Sequence, residues 1–360
     1  MSKNKKKQNK KKSNGETLAK VRLGLSTLLS NDACIRCSRE WKGPITLLPI
    51  FIALASVVLA VLPTFVTRMN VQGSAVAFNA PVALYDQGLA DFTYDLAFDE
   101  EGNQRDNVSL EISGGTYHLM GKSVVTGGAE WYTVNRASTG APIFEVFFND
   151  TPFDDNTFFT NLNTYKTPDG VNRDPAAAKT TPQASYLAFG KQSIRFLKKT
   201  DLATNGIAAL TGSYELLEGT KFSTFAPTVK DAEGNQLDPY KAAFVDKVRE
   251  FWADVMNKSY HPAKVAATWQ YTGIFAGIDV GLIVLFGLIT FLMTRGKRNP
   301  FRIYTFWETQ KMAYWASFTP AILSLALGFW LTQYAFIFFM FAYGMRMMWM
   351  SMKSMRPVQQ

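Results

Sequence analysis

Apolar residues cluster in four places along the chain, and the spacing differs elsewhere. Ile45 to Val66, Tyr271 to Thr294, Met312 to Leu331 and Tyr334 to Met352 are almost unbroken apolar runs. Each is about 20 residues or more, the length that an α-helix at 1.5 Å per residue needs to cross a 30 Å hydrocarbon core. Asp279, Arg346 and Pro320 are the notable interruptions. Thr332-Gln333 is the only polar break between the last two runs and suits a tight helical hairpin. Pro49 and Pro63 lie near the ends of the first run, where a missing backbone donor costs least.

Between the first and second runs the period changes. Val76 to Tyr85, Leu89 to Phe98, Val108 to Leu119, Glu130 to Asn135, Ile143 to Asn149, Ser185 to Leu197 and Ile207 to Leu217 are β-branched or aromatic stretches separated by Gly, Asp and Asn, which predicts strands. Asn149 to Ala184 reads as a long loop with one short helix at Asn156 to Leu162. Pro239 to Met256 carries Phe244, Val248, Phe251 and Val255 on one helical stripe, and His261-Pro262 reads as a loop before the next span. Leu18 to Leu29 is amphipathic and fits either a helix at the membrane surface or one packed on the bundle. The fold class is thus four transmembrane helices plus a β-rich α+β extracytoplasmic domain.

The boundaries follow. Residues 1–15 form a disordered basic tail, 16–42 a cytoplasmic amphipathic segment, 43–66 helix one and 67–268 the outer domain. Residues 269–294 form helix two, 295–311 a basic loop, 312–331 and 332–352 helices three and four, and 353–360 a cytoplasmic tail.

Charge sharpens the topology. The chain has 360 residues and a net charge of +9, but the segment from Thr67 to Thr268 holds 18 basic and 24 acidic residues, against 20 and 5 in the remainder. Arg36, Arg39 and Lys42, then Arg295, Lys297, Arg298 and Arg302, then Lys353 and Arg356 flank the spans. One arrangement puts all three groups inside: a multi-pass cell-membrane protein with both termini cytoplasmic. Trp41, Trp315 and Trp349 then fall at inner ends and Trp269, Trp330 and Tyr334 at outer ends. The expected partner of the basic residues is anionic inner-leaflet lipid rather than nucleic acid.

Chemical motifs are sparse. No nucleophile elbow, zinc-helix motif, phosphate loop or dinucleotide glycine pattern occurs, so no catalytic, cofactor or metal residues are expected. Cys34 and Cys37 have redox-pair spacing without a second ligand pair, and read as structural thiols. Asp99-Glu-Glu-Gly-Asn-Gln-Arg-Asp106 echoes Asp231-Ala-Glu-Gly-Asn-Gln-Leu-Asp238, and reads as two hairpin turns with left-handed glycine rather than calcium loops.

The residues expected to make helix-packing or partner contacts are Gly273, Gly277, Gly281, Asp279 and Arg346. The glycines recur every four residues, a stripe that lets another helix approach. Asp279 projects from nearly the opposite face and should avoid lipid. Arg346 either snorkels to the inner surface or pairs with Asp279. Pro320 should kink its helix, with Ser317 or Thr319 satisfying the freed groups.

Three stretches carry a family resemblance. Leu25-Ser-Thr-Leu-Leu-Ser through Arg39 and Lys42-Gly43 leads into a span ending Leu62-Pro63. Tyr186-Leu-Ala-Phe-Gly-Lys-Gln-Ser-Ile-Arg-Phe follows in the outer domain. Tyr314 to Pro320 opens a helix, and Met347-Met-Trp-Met-Ser-Met-Lys353 closes the chain. The pattern resembles the MalA-type family of bacterial maltodextrin-utilisation membrane proteins, with an outer domain longer than such proteins need. The resemblance implies an accessory of carbohydrate uptake; the leading reading is an accessory or scaffold protein that presents the outer domain and contacts a partner such as a membrane transporter complex. An extracytoplasmic ligand sensor is the alternative, and an enzyme acting on lipid or cell-wall material the third reading.

Overall fold

The computed structural model describes residues 19, 21–40, 47–74, 83–99, 101–121, 130–135, 142–162, 185–199, 207–295 and 304–354. The lysine-rich tail, Lys42, Lys297, Arg298, Arg302 and residues 163–184 lie outside them. The chain divides into two compact units: residues 1–70 with 267–360, and residues 71–266.

The helical unit contains α1 (Asn31–Glu40) and α2 (Leu48–Asn70). Its other helices are the later part of α5 (Ala242–Met293), α6 (Phe306–Gly328) and α7 (Ala335–Trp349). Three helical stretches are long and apolar enough to cross a membrane: Leu48–Asn70, Ala242–Met293 and Thr332–Met352. Their outward faces are apolar. Phe51 and Val58 on α2, Leu285 and Leu292 on α5, and Phe341 and Met345 on α7 are all exposed. α6 starts earlier than the apolar run suggests. Thr305 accepts from the backbone N–H of Glu308, whose carboxylate accepts from the Thr305 N–H, a reciprocal cap that adds a polar first turn. α6 packs on both α2 and α7 and turns into α7 through a 3-10 turn at Thr332–Tyr334.

Helix α5 corrects the expected break at His261-Pro262. It is one helix of 52 residues, with Pro262 inside it. A proline costs one backbone bond in a helix interior, but exposed Lys258, four residues earlier, lets water take the place of that donor.

The second unit is α+β. Strands β1 (Ser109–Ser113) and β2 (Thr116–Met120) form an antiparallel hairpin around Gly114 and Gly115, both with positive φ. Strands β3 (Glu130–Asn135), β4 (Pro142–Phe148), β5 (Ser185–Phe189), β6 (Ser193–Lys199) and β7 (Ile207–Ser213) form a second sheet in sequence order. Only β4 and β5 run parallel. The connection between those two contains α4 (Asp155–Asn161), close to the expected short helix. The expected strands Val108 to Leu119 and Ser185 to Leu197 are therefore each two strands, folded at glycine.

Leu89 to Phe98 is the clear correction. It belongs to α3 (Ala83–Asp95) and the turn after it. Leu89, Phe92 and Leu96 are fully buried at helical spacing, whereas the aromatic content of the stretch had predicted a strand. Of Val76 to Tyr85, residues 76–82 lie outside the described set and the remainder is helical.

The sheet is covered on both faces. On one, Phe144, Phe148, Leu187, Phe189 and Phe196 meet α3 and the α5 residues Val248, Trp252 and Val255. On the other, Phe147, Tyr186, Ala188 and Leu197 meet Phe158, Phe159 and Leu162. Every residue of β5 is consequently buried, which explains why it lacks alternation. The echoed turns have matching geometry. Gly102 and Gly234 have φ of 81° and 86°, and each opening aspartate accepts from the N–H of the asparagine four residues on.

Candidate functional site

A polar cluster in the helical unit forms around Arg346. Proline at 320 has no N–H, so the carbonyl of Ala316 loses its helical donor. Arg346 on α7 supplies the replacement: its Nη1 donates to the Ala316 carbonyl at 3.0 Å. Its Nε donates to Asn31 Oδ1 at 3.1 Å, and its Nη2 reaches the Thr27 carbonyl and, at 3.5 Å, Cys34 Sγ. Thr319 Oγ1 donates to the Leu28 carbonyl at 2.6 Å. One guanidinium thereby ties α7, α6 and the segment before α1 together. Ser317 or Thr319 was expected to satisfy groups freed by the proline; the Ser317 hydroxyl instead lies 2.9 Å from Ser56 Oγ on α2 and 2.8 Å from the Tyr314 carbonyl. The helix continues unbroken through Pro320.

Asp279 and Arg346 do not pair: no ion pair joins them among the described residues. Asp279 is only 1% exposed, on the α5 face shared with Thr272, Ile283, Gly287 and Thr290. Neither of its carboxyl oxygens has a hydrogen-bond partner. The three stripe glycines point elsewhere. A methyl group added at Gly273, Gly277 or Gly281 would meet nothing within 4 Å. By contrast, one at Gly287 would meet Gln310 at 2.7 Å, and one at Gly328 would meet Ala335 and Pro63 at 2.8 Å. The close helix contacts within the chain therefore use other glycines than the stripe.

Cys34 and Cys37 are buried on the inward face of α1 as free thiols. Burial pushes Cys34 up to about 11, against the lowering effect of Arg346. Burial and then the neighbouring Cys34 push Cys37 up to about 12. Both are protonated near neutral pH, and neither is a ready nucleophile. No group of three metal-binding side chains occurs among the described residues.

In the second unit an open cleft of about 650 Å³ runs beside β2. Glu111, Tyr117, His118, Asp150 and Lys191 line it. His118 Nε2 donates to the Ser113 carbonyl at 3.0 Å, so that nitrogen is engaged with backbone. Burial, then Asp150 and Asp155, push the Tyr117 phenol up to about 12. Asp155 itself has a structural role. It accepts from the Lys191 and Gln192 N–H groups, Ser193 Oγ and Asn149 Nδ2, fixing the β5–β6 turn to α4. Gly190 is needed there, since a methyl group would lie 2.5 Å from the Asp155 carboxylate.

No family model, no characterised protein and no solved structure matches this chain. The polar residues missed from sequence are Thr27, Asn31 and Ser56, which carried no periodic signal. The Pro320–Arg346 complementarity did carry one. A hairpin tip near Thr332 sets Ala316 opposite Arg346, so the depth of the vacant carbonyl and of the surplus donor can be matched from numbering alone.

Proposed function

We propose that this chain is an integral membrane accessory protein that crosses the bilayer four times and holds residues 71–266 on the outer side. The observation that carries this reading is the apolar outward surface shared by α2, α5 and α7, each of membrane-spanning length. α6 is the fourth span: it equals α2 in length and packs between α2 and α7. The end of α2 and the entry of α5 into the helical unit lie together. Phe65 and Trp269 rings are 5.1 Å apart, and Arg68 stacks on Tyr271 at 3.9 Å. The intervening chain thus leaves and returns on one side, and the basic flanks make the opposite side cytoplasmic.

The role is binding rather than catalysis, with the open Gly273–Gly277–Gly281 face available to a partner helix. The MalA-type resemblance makes a carbohydrate transporter the partner to look for. Single cysteines near Asn103 and at Gln360, in a background lacking Cys34 and Cys37, test the topology. An impermeant reagent on intact cells should label the first and spare the second; equal labelling contradicts the arrangement. Isolation from native membranes should bring down a transporter in stoichiometric amount, and recovery of the chain alone speaks against the accessory role.

A further inference from the structure

The hairpin of β1 and β2 has one edge that the fold uses and one that it leaves open. In an antiparallel ladder, successive residues turn their N–H and C=O groups to one neighbour and then to the other. Ile112 and Leu110 of β1 turn away from β2. The Ile112 N–H donates to the Thr220 carbonyl at 3.0 Å, and the Ile112 carbonyl accepts from the Gly219 N–H at 2.8 Å. The Leu110 carbonyl accepts from the Phe222 N–H at 2.8 Å. The register sets Ile112 opposite Tyr117 and Leu110 opposite Leu119. Tyr117 and Leu119 therefore turn their own main-chain groups away from β1, to the outer edge of β2. No described residue bonds to the N–H or C=O of either.

The cleft of about 650 Å³ follows that edge. Thr116, His118 and Met120 line it from one face of β2, and Tyr117 and Leu119 from the other. Successive side chains of a strand point to opposite faces, so only a space at the rim touches both sets. Across the cleft stand Asp150 and Lys191, which follow the ends of β4 and β5. They lie on the Tyr117 side, where the Tyr117 ring meets Phe148 at 5.3 Å and Phe189 at 6.1 Å. Both are exposed, and neither has an ion-pair partner among the described residues.

We infer that the open edge of β2 binds an extended segment of a partner protein by strand addition, with side chains of both charges meeting Asp150 and Lys191. Strands pair about 4.8 Å apart and rise about 3.4 Å per residue, so a guest as long as β2 covers the edge from end to end. Tyr117 and Leu119 supply its main-chain bonds. Alternate guest side chains fall on opposite sides, one set over His118 and the exposed Met120, the other beside Asp150 and Lys191. On the far edge of the hairpin, residues 219–222 already bond to β1 through the same alternation. The β2 edge of a second copy would bring its own β1 with it, and a cleft of this volume holds a single strand.

The inference concerns the α+β unit alone and holds on either side of a membrane, so the Asn103 and Gln360 labelling does not decide it. Its test uses the full chain in detergent. The probe is a five-residue fluorescent peptide alternating valine with one lysine and one glutamate, blocked at both ends. Fluorescence anisotropy should show it binding at least tenfold tighter than the same peptide N-methylated throughout, which keeps the side chains and loses the donors. Hydrogen exchange resolved to single amides should find Tyr117 and Leu119 fast in the free protein and at least tenfold slower with the probe bound. His118, whose N–H faces β1, should stay slow in both. With Asp150→Asn and Lys191→Gln combined, the charged probe should bind no better than a valine–threonine peptide of equal length. No binding of the probe, equal affinity for the N-methylated form, unchanged exchange at Tyr117 and Leu119, or a charge preference that survives the double substitution overturns the inference. Protection of Tyr117 and Leu119 before any peptide is added, lost on dilution, gives the edge to a second copy and also overturns it.

Discussion

In the α+β unit, Trp252 sits among Phe92, Phe196, Phe222 and Phe251 with ring centroids 5.1 to 6.2 Å away. Its indole N–H donates to Thr93 Oγ1 at 2.9 Å. In the helical unit the fully buried positions instead include polar side chains aimed at helix carbonyls. Ser324 donates to Ala335, Tyr343 to Ala313 and Gln310 to Val284, and the half-buried Arg346 donates to Ala316. The difference follows from the solvent. Water drives rings together, whereas hydrocarbon gives apolar side chains little reason to leave it, so helices in lipid associate through close packing and hydrogen bonds.

The comparison can be broken most forcefully at Trp252. Trp252→Ala should cost about 3–5 kcal/mol through the cavity and the lost indole bond to Thr93, whose hydroxyl still donates to the Leu89 carbonyl. The loss should appear as early denaturant unfolding of the α+β unit, followed by near-ultraviolet circular dichroism. A loss below 1 kcal/mol would show that the aromatic cluster is not the source of stability.

In the helical unit, Arg346→Met should cost about 3 kcal/mol, because it removes the donors of two buried carbonyls while keeping apolar volume. Thermal unfolding in detergent or vesicles measures it. The smallest expected effect is Ser56→Ala, about 0.6 kcal/mol, the usual size of a single interhelical hydrogen bond in a membrane. If Ser56→Ala costs as much as Arg346→Met, polar contacts in this unit are not graded by the groups they leave unsatisfied.

The two units also differ in how far they could be foreseen. Apolar run length reports the helices of the helical unit directly, because the bilayer imposes it. Ile143 to Asn149, against the observed Pro142–Phe148, and Glu130 to Asn135 were legible as strands from residue type. Leu89 to Phe98 was not, since Asp91, Thr93 and Asp95 alternate with apolar residues inside a helix whose packing is set by distant partners such as Phe144, which touches Gly88. The continuity of α5 through Pro262 was equally hidden, because a proline read alone marks an end. At the candidate site, Arg346 and Asp279 were visible as charges within spans. The Thr27 and Asn31 partners of Arg346 were not, because they reach it by a chain segment whose fold back along α6 no local pattern encodes.

The account's central claim is that Arg346 replaces the donor that Pro320 lacks. A double-mutant cycle between Pro320→Ala and Arg346→Met, followed by unfolding in vesicles, tests it directly. Alanine restores an N–H at position 320 to serve the Ala316 carbonyl. Arg346→Met should therefore cost at least 1 kcal/mol less in the Pro320→Ala background than in the native one. Strictly additive costs would contradict the claim and leave Arg346 as a charge held by the Thr27 and Asn31 segment alone.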